Sequence, residues 1–122
     1  MFRAIGRVVV GVSDQDEALA FYRDVLGFDV LHDSDDEGLR YLHIGLPGQP
    51  DTGLWLMPGA AEHDRPLLVL YVDDLAEIVD AFERHGVERW ARTDSSLHFR
   101  DCCGNVLVAT VTPCRQVQPG CD

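Results

Sequence analysis

The stretch Val8-Val9-Val10-Gly11-Val12-Ser13-Asp14 is answered sixty residues later by Leu68-Val69-Leu70-Tyr71-Val72-Asp73-Asp74. Each is a β-branched or aliphatic run too short for a helix, ending in polar residues that can start one. Each is followed by an amphipathic run that closes on glycine, at Leu26-Gly27-Phe28 and at His85-Gly86-Val87. A unit that cannot bury its own apolar face is completed by packing on its copy. The expected fold is therefore α+β, a βαβββ plan written twice, with room for a ligand in the concavity between or within the copies.

Working outward, Ser13 is expected to cap the first helix, with Asp16 three residues on. Ala18, Phe21, Tyr22 and Val25 recur at helical spacing, and Gly27 suits a left-handed C-cap. Strands are expected at about 28–32, 39–45 and 53–57, with the acidic stretch 33–38 as a connection. In the second copy Leu75, Ile78, Val79 and Phe82 form the helix stripe, and Gly86 ends it. Strands near 87–92, 97–100 and 106–111 complete it. The chain is expected to be one domain over 1–122. Its first module spans about 5–57, its linker about 58–66 and its second module about 67–112, followed by a loose tail, 113–122.

A chain of 122 residues buries roughly two-thirds of its unfolded surface, enough for a single core. No apolar run reaches the roughly 20 residues that span a bilayer, and no signal peptide is evident, so a cytoplasmic protein is expected. The net charge of −11 repels phosphate backbones and anionic membranes and mildly favours cationic partners. Neither nucleic acid nor membrane is expected as a partner. The four cysteines crowd into the last 21 residues, unlike a disulfide framework, and are read as reduced thiols.

The order βαβββ–βαβββ, with Val12-Ser13-Asp14, Ala18-Leu19-Ala20-Phe21-Tyr22 and Leu26-Gly27-Phe28, resembles the vicinal oxygen chelate superfamily. These are the glyoxalase/bleomycin-resistance/dioxygenase proteins. Val72-Asp73-Asp74, Phe99-Arg100-Asp101 and Gly104-Asn105 extend the resemblance over roughly residues 5 to 111. It implies a cavity in each module and, usually, a homodimer. It also implies four strand positions that hold a divalent metal through His, Glu or Gln. In this sequence those positions carry Arg7, Trp55, Leu67 and Val108, none a metal ligand. No metal and no cofactor is expected.

Strand alternation points the same way. Val8, Val10, Val12, Leu54, Leu56, Leu68, Leu70, Val72, Leu107, Ala109 and Val111 share the parity of a helix-packed face. The opposite parity carries Arg7, Trp55, Leu67, Tyr71 and Val108, a mixed lining of the kind small-molecule sites use. Tyr41, His43, Trp90 and His98 join it as candidate ligand-binding residues. Arg7 can hold a carboxylate, carbonyl or phosphate, or it can close a salt bridge. Trp55 can stack on a planar ligand or cation, or it can fill the space a metal leaves. His43 and His98 are the candidates for acid–base work, although no carboxylate is spaced to pair with either. His32, His63 and His85 read as loop or helix-end residues. Cys102-Cys103 is either an ordinary turn or a soft-ion pair.

These residues support a metal-free small-molecule binding protein of the bleomycin-resistance type. It would sequester an aromatic or cationic compound in a dimer cavity, an antibiotic-resistance role. The alternative is a glyoxalase-like lyase or extradiol-type dioxygenase with atypical metal ligands.

Overall fold

The two copies form two separate four-stranded sheets with matching strand order. In the computed structural model, which describes residues 1–61 and 65–113, the first half comprises β1 (Arg7–Val12), α1 (Gln15–Asp24), β2 (Asp29–Asp36), β3 (Leu39–Gly45) and β4 (Gly53–Pro58). The second half comprises β5 (Pro66–Val72), α2 (Leu75–His85), β6 (Arg89–Trp90), β7 (Ser96–Arg100) and β8 (Val106–Val111). The sheets are ordered β1-β4-β3-β2 and β5-β8-β7-β6. Each has one parallel pair, β1 with β4 and β5 with β8, and its remaining pairs are antiparallel. The repeat extends to single hydrogen bonds. Gly59 N donates to Val12 O at 3.0 Å, and Thr112 N donates to Val72 O at 2.9 Å.

Both helices start on an extended aspartate. Asp14 (φ −143, ψ 114) accepts from Glu17 N, and Asp74 (φ −138, ψ 114) accepts from Ala76 N. The expected Ser13 cap is thus displaced by one residue. A carboxylate satisfies the free amides as a hydroxyl does and adds charge complementary to the helix N-terminus. At the other end, α2 closes on left-handed Gly86 (φ 67), whereas the C-cap of α1 is Val25, still right-handed at φ −97. Gly27 takes its left-handed turn (φ 82) beyond the cap.

Two strand limits differ from the sequence expectation. The acidic run expected as a connection is strand as far as Asp36, and the turn is only Glu37 (φ 51) and Gly38 (φ 83). Two consecutive positive φ values are the signature of a tight primed hairpin. Arg40 offsets the acidic crowding. Its Nε and Nη2 each lie 2.9 Å from an oxygen of Asp33, and its Nη1 lies 2.7 Å from Asp16. β6, expected over 87–92, is only Arg89–Trp90, because Ala91 turns left-handed at φ 55. Of the residues singled out in the sequence, His63, Cys114, Cys121 and the rest of the tail beyond Pro113 lie outside the described residues.

The helix-facing parity is the core. Val10, Val12, Leu54, Leu56, Leu107 and Ala109 join Ala18, Tyr22, Phe82 and Phe99 in one cluster spanning both halves. Leu68, Leu70, Val72 and Val111, partly buried, pack against it. No helix among the described residues is long and apolar enough to cross a membrane.

Candidate functional site

The faces turned away from the helices carry the unusual side chains. Residues directly opposite one another in register share a face, so the pairings define a row across each sheet. On the first sheet Val9, Trp55, His43 and His32 run from β1 to β2. On the second Val69, Val108, His98 and Trp90 occupy the equivalent places from β5 to β6. Each row thus has an imidazole on its third strand with an indole beside it. Val9 and Val69, at matching ends of the rows, are 54% and 53% exposed. The faces are therefore open walls in the single chain.

The first wall is the richer. Trp55 and Tyr41 stack with centroids 5.1 Å apart at 28°, and His43 lies 5.5 Å from Trp55 and 5.7 Å from His32. Arg7 donates from Nε to His43 Nδ1 at 3.2 Å, and from Nη1 to the carbonyls of Gly6 and Asp51 at 2.8 and 3.3 Å. No carboxylate pairs with Arg7 among the described residues. A guanidinium has only donors, so His43 Nδ1 must accept, and the neutral ring carries its proton on Nε2. Burial, then the Arg7 charge and His32, hold the His43 imidazolium pKa below its ordinary value. His43 Nε2 and Trp55 Nε1 are both sealed from solvent without a hydrogen-bond partner, as is His98 Nδ1 on the second wall. A buried donor left unsatisfied costs about 1–3 kcal/mol.

A bulge between Val30 and His32 shapes one end of this wall. The Leu31 side chain lies over Gly45 and Gly53, and its Cδ1 is 2.7 and 3.0 Å from where their Cβ atoms would stand. Glycine at both places makes room for that leucine, which sequence periodicity did not flag.

The second wall brings Trp90 and His98 together at 5.8 Å, with the Arg100 guanidinium 5.2 Å from the centre of the Trp90 ring. Val108 lies between His98 and Val69. The other two candidates are outside these rows. Leu67 falls in the irregular pairing between Pro66 and Leu68 and packs against the core. Tyr71, 61% exposed, borders an apolar groove of about 280 Å³ with Val8, Phe28, Leu54, Leu68 and Leu70. That groove has more volume than chemistry, since Tyr71 is the one titratable side chain lining it. His43 and His98 sit on different sheets.

Sequence reasoning missed a third cluster. Asp101, 6% exposed, accepts at Oδ1 from the amides of Cys103 and Asn105, both at 2.9 Å. Its Oδ2 accepts from Tyr22 Oη at 2.8 Å and from Asn105 Nδ2 at 2.9 Å. Asn105 Nδ2 also reaches Gly11 O at 2.8 Å. The Asp101…Gly104-Asn105 phrase is therefore a buried clamp that ties the second half to α1 and β1. Beside it the free thiols of Cys102 and Cys103 lie 3.6 Å apart. Burial, then Cys103 and Asp101, push the Cys102 thiol up, away from the thiolate that binds metals or attacks electrophiles.

Residues 4–108 match the family described as the Glyoxalase/Bleomycin resistance protein/Dioxygenase superfamily. The chain belongs to that superfamily. No curated protein sequence matches it. Among solved structures it is similar to UcmS2, at 27% identity over 92% of this chain and 100% of that one, with a TM-score of 0.76. TnmS3, an antibiotic binding protein from Streptomyces sp. CB03234, is 28% identical over 90% of this chain and 96% of its own, also at 0.76. A superfamily member from Sphaerobacter thermophilus DSM 20745 shares the fold at a TM-score of 0.82 and 23% identity, covering 92% and 99% of the two chains. The superfamily's metal does not fit here. Among the described residues no three His, Cys, Asp or Glu side chains are grouped to hold an ion, and Arg7 brings a fixed positive charge to one of the ligand positions.

Proposed function

We propose that this superfamily member is a binding protein that sequesters a small planar aromatic compound, as an antibiotic-binding protein does, without a protein-bound metal. The observation that carries this reading is the first wall. At two of the expected ligand positions, Arg7 and Trp55, the chain has a guanidinium with no carboxylate partner and an indole stacked on Tyr41, with His43 Nε2 and Trp55 Nε1 as buried donors without partners. The likeness to TnmS3, itself described as an antibiotic binding protein, supports it. A second copy of the chain completes the site by covering the open faces, where Val9 and Val69 are more than half exposed. β1 and β5, which carry them, are sheet edges of the kind a partner protects.

Native mass spectrometry of protein purified without chelator tests this directly. The expected result is a dimer without stoichiometric metal, followed by thermal stabilisation in a screen of planar natural products. A ligand at 100 times its Kd adds about 2.7 kcal/mol. One metal per site, with lyase or dioxygenase activity lost to chelator and restored by Fe²⁺ or Zn²⁺, would instead make the protein an enzyme.

A further inference from the structure

The ligand chemistry proposed next rests on the first wall being the binding surface. Every polar side-chain atom placed at the centre of that wall by the Arg7–His43–Trp55 contacts is a donor or is spent. Arg7 is a permanent cation whose bonds run to an imidazole and two carbonyls rather than to a carboxylate. Because its Nδ1 accepts from Arg7, the neutral His43 ring carries its N–H on Nε2, a donor without a partner. Trp55 Nε1–H is the second donor without a partner. The carboxylates on this face, Asp29 and Asp36, are at opposite ends of the outermost strand, opposite Gly45 and Leu39. Neither reaches Arg7. The net charge of −11 draws cations toward the molecule as a whole, yet the centre of this wall offers a cation ring faces and no carboxylate.

We propose that the first wall selects planar aromatic ligands bearing a carboxylate or a conjugated oxyanion. The ligand's oxygens would accept from His43 Nε2–H and Trp55 Nε1–H and face the Arg7 guanidinium. A charged acceptor strengthens the hydrogen bonds such donors make, and Arg7 adds a fixed positive charge beside them. Local donor geometry, rather than overall charge, then sets the sign of the preferred ligand.

Three probes with one ring system separate this from simple aromatic binding: 2-naphthoate, naphthalene-2-carboxamide and 2-naphthylmethylammonium. Affinities come from calorimetry on the full chain, and contact with the wall comes from the indole ¹H–¹⁵N resonance of Trp55. Naphthoate is expected to bind at least about tenfold more tightly than the ammonium probe. Arg7→Gln should erase that preference. Arg7→Lys keeps the charge and should keep the preference, which guards against a folding defect in the glutamine variant. Ammonium binding equal to or tighter than naphthoate overturns the proposal, as does a naphthoate affinity indifferent to Arg7→Gln. If the carboxamide moves the Trp55 resonance but charge makes no difference, the anion preference falls and the wall stands. If no probe moves that resonance, both fall.

Discussion

Replacing Tyr22 with Phe removes one oxygen from the buried clamp and leaves every apolar contact of the ring in place. Tyr22 is fully buried and its Oη donates to Asp101 Oδ2 at 2.8 Å, so no water can stand in for the lost donor. A hydrogen bond to a charged group contributes about 1.5–3 kcal/mol, and that is the expected loss at neutral pH. For a chain of this size it lowers Tm by about 5–15 °C. The pH dependence is the sharper test. Burial first, then the Asp101 charge, raise the Tyr22 phenol well above its ordinary value. The unfolded chain therefore releases this proton first, and the clamp's stability is complete below about pH 10 and declines above it. Tyr22→Phe cannot lose that proton, so the gap between the two proteins should narrow by about 1.4 kcal/mol per pH unit above 10. Urea unfolding followed by circular dichroism at pH 7 to 11 measures it. A gap under about 0.5 kcal/mol at pH 7, or one that stays constant to pH 11, would refute the reasoning.

Gly53→Ala would place a Cβ 2.1 Å from the backbone oxygen of Ile44, which cannot move aside, and should cost about 3 kcal/mol or more in chemical denaturation. Gly86→Ala, at the left-handed cap of α2, should cost only about 1–2 kcal/mol in the same assay. His43 should appear in ¹⁵N-edited spectra as the Nε2–H tautomer, titrating below the ordinary imidazole value. An Nδ1–H tautomer would remove it as a donor to ligand. Because folding lowers that pKa, the unfolded chain binds the proton more readily, and stability attributable to His43 is lost as pH falls below about 6.5. At pH 7.5 Cys102 should alkylate more slowly than free cysteine in peptide mass spectrometry, because its thiol is held protonated.

Short-range pattern was enough to expose the architecture. The two valine- and leucine-rich strands, their acidic helix starts and the parity of Val10, Leu56 and Leu107 all act within a few residues. Features set by long-range pairing were hidden. The acidic stretch through Asp36 looks like a connection until Arg40 is seen to neutralise Asp33 across the hairpin. Ser13 and Asp14 are both competent caps, and only the local dihedrals chose between them. Of the candidate site residues, Arg7, Tyr41, His43 and Trp55 come together on one wall, because alternation decides a strand's face. Leu67 does not follow, since an irregular pairing interrupts the alternation there. The link between Tyr22 and Asp101 spans 79 residues, and nothing local to either residue announces it.

The clamp does not depend on the chain that runs between the halves. Tyr22 meets Asp101, and Asn105 meets Gly11, by side-chain and backbone atoms alone. A protease nick between Gly59 and Pro66 would therefore turn one folding chain into two complementary fragments rather than into debris. Their reassembly would become bimolecular, with a melting temperature that climbs with concentration. The same indifference lets one chain's carboxyl half close on another's amino half. Exchange of halves between copies would then conserve every bond of the clamp.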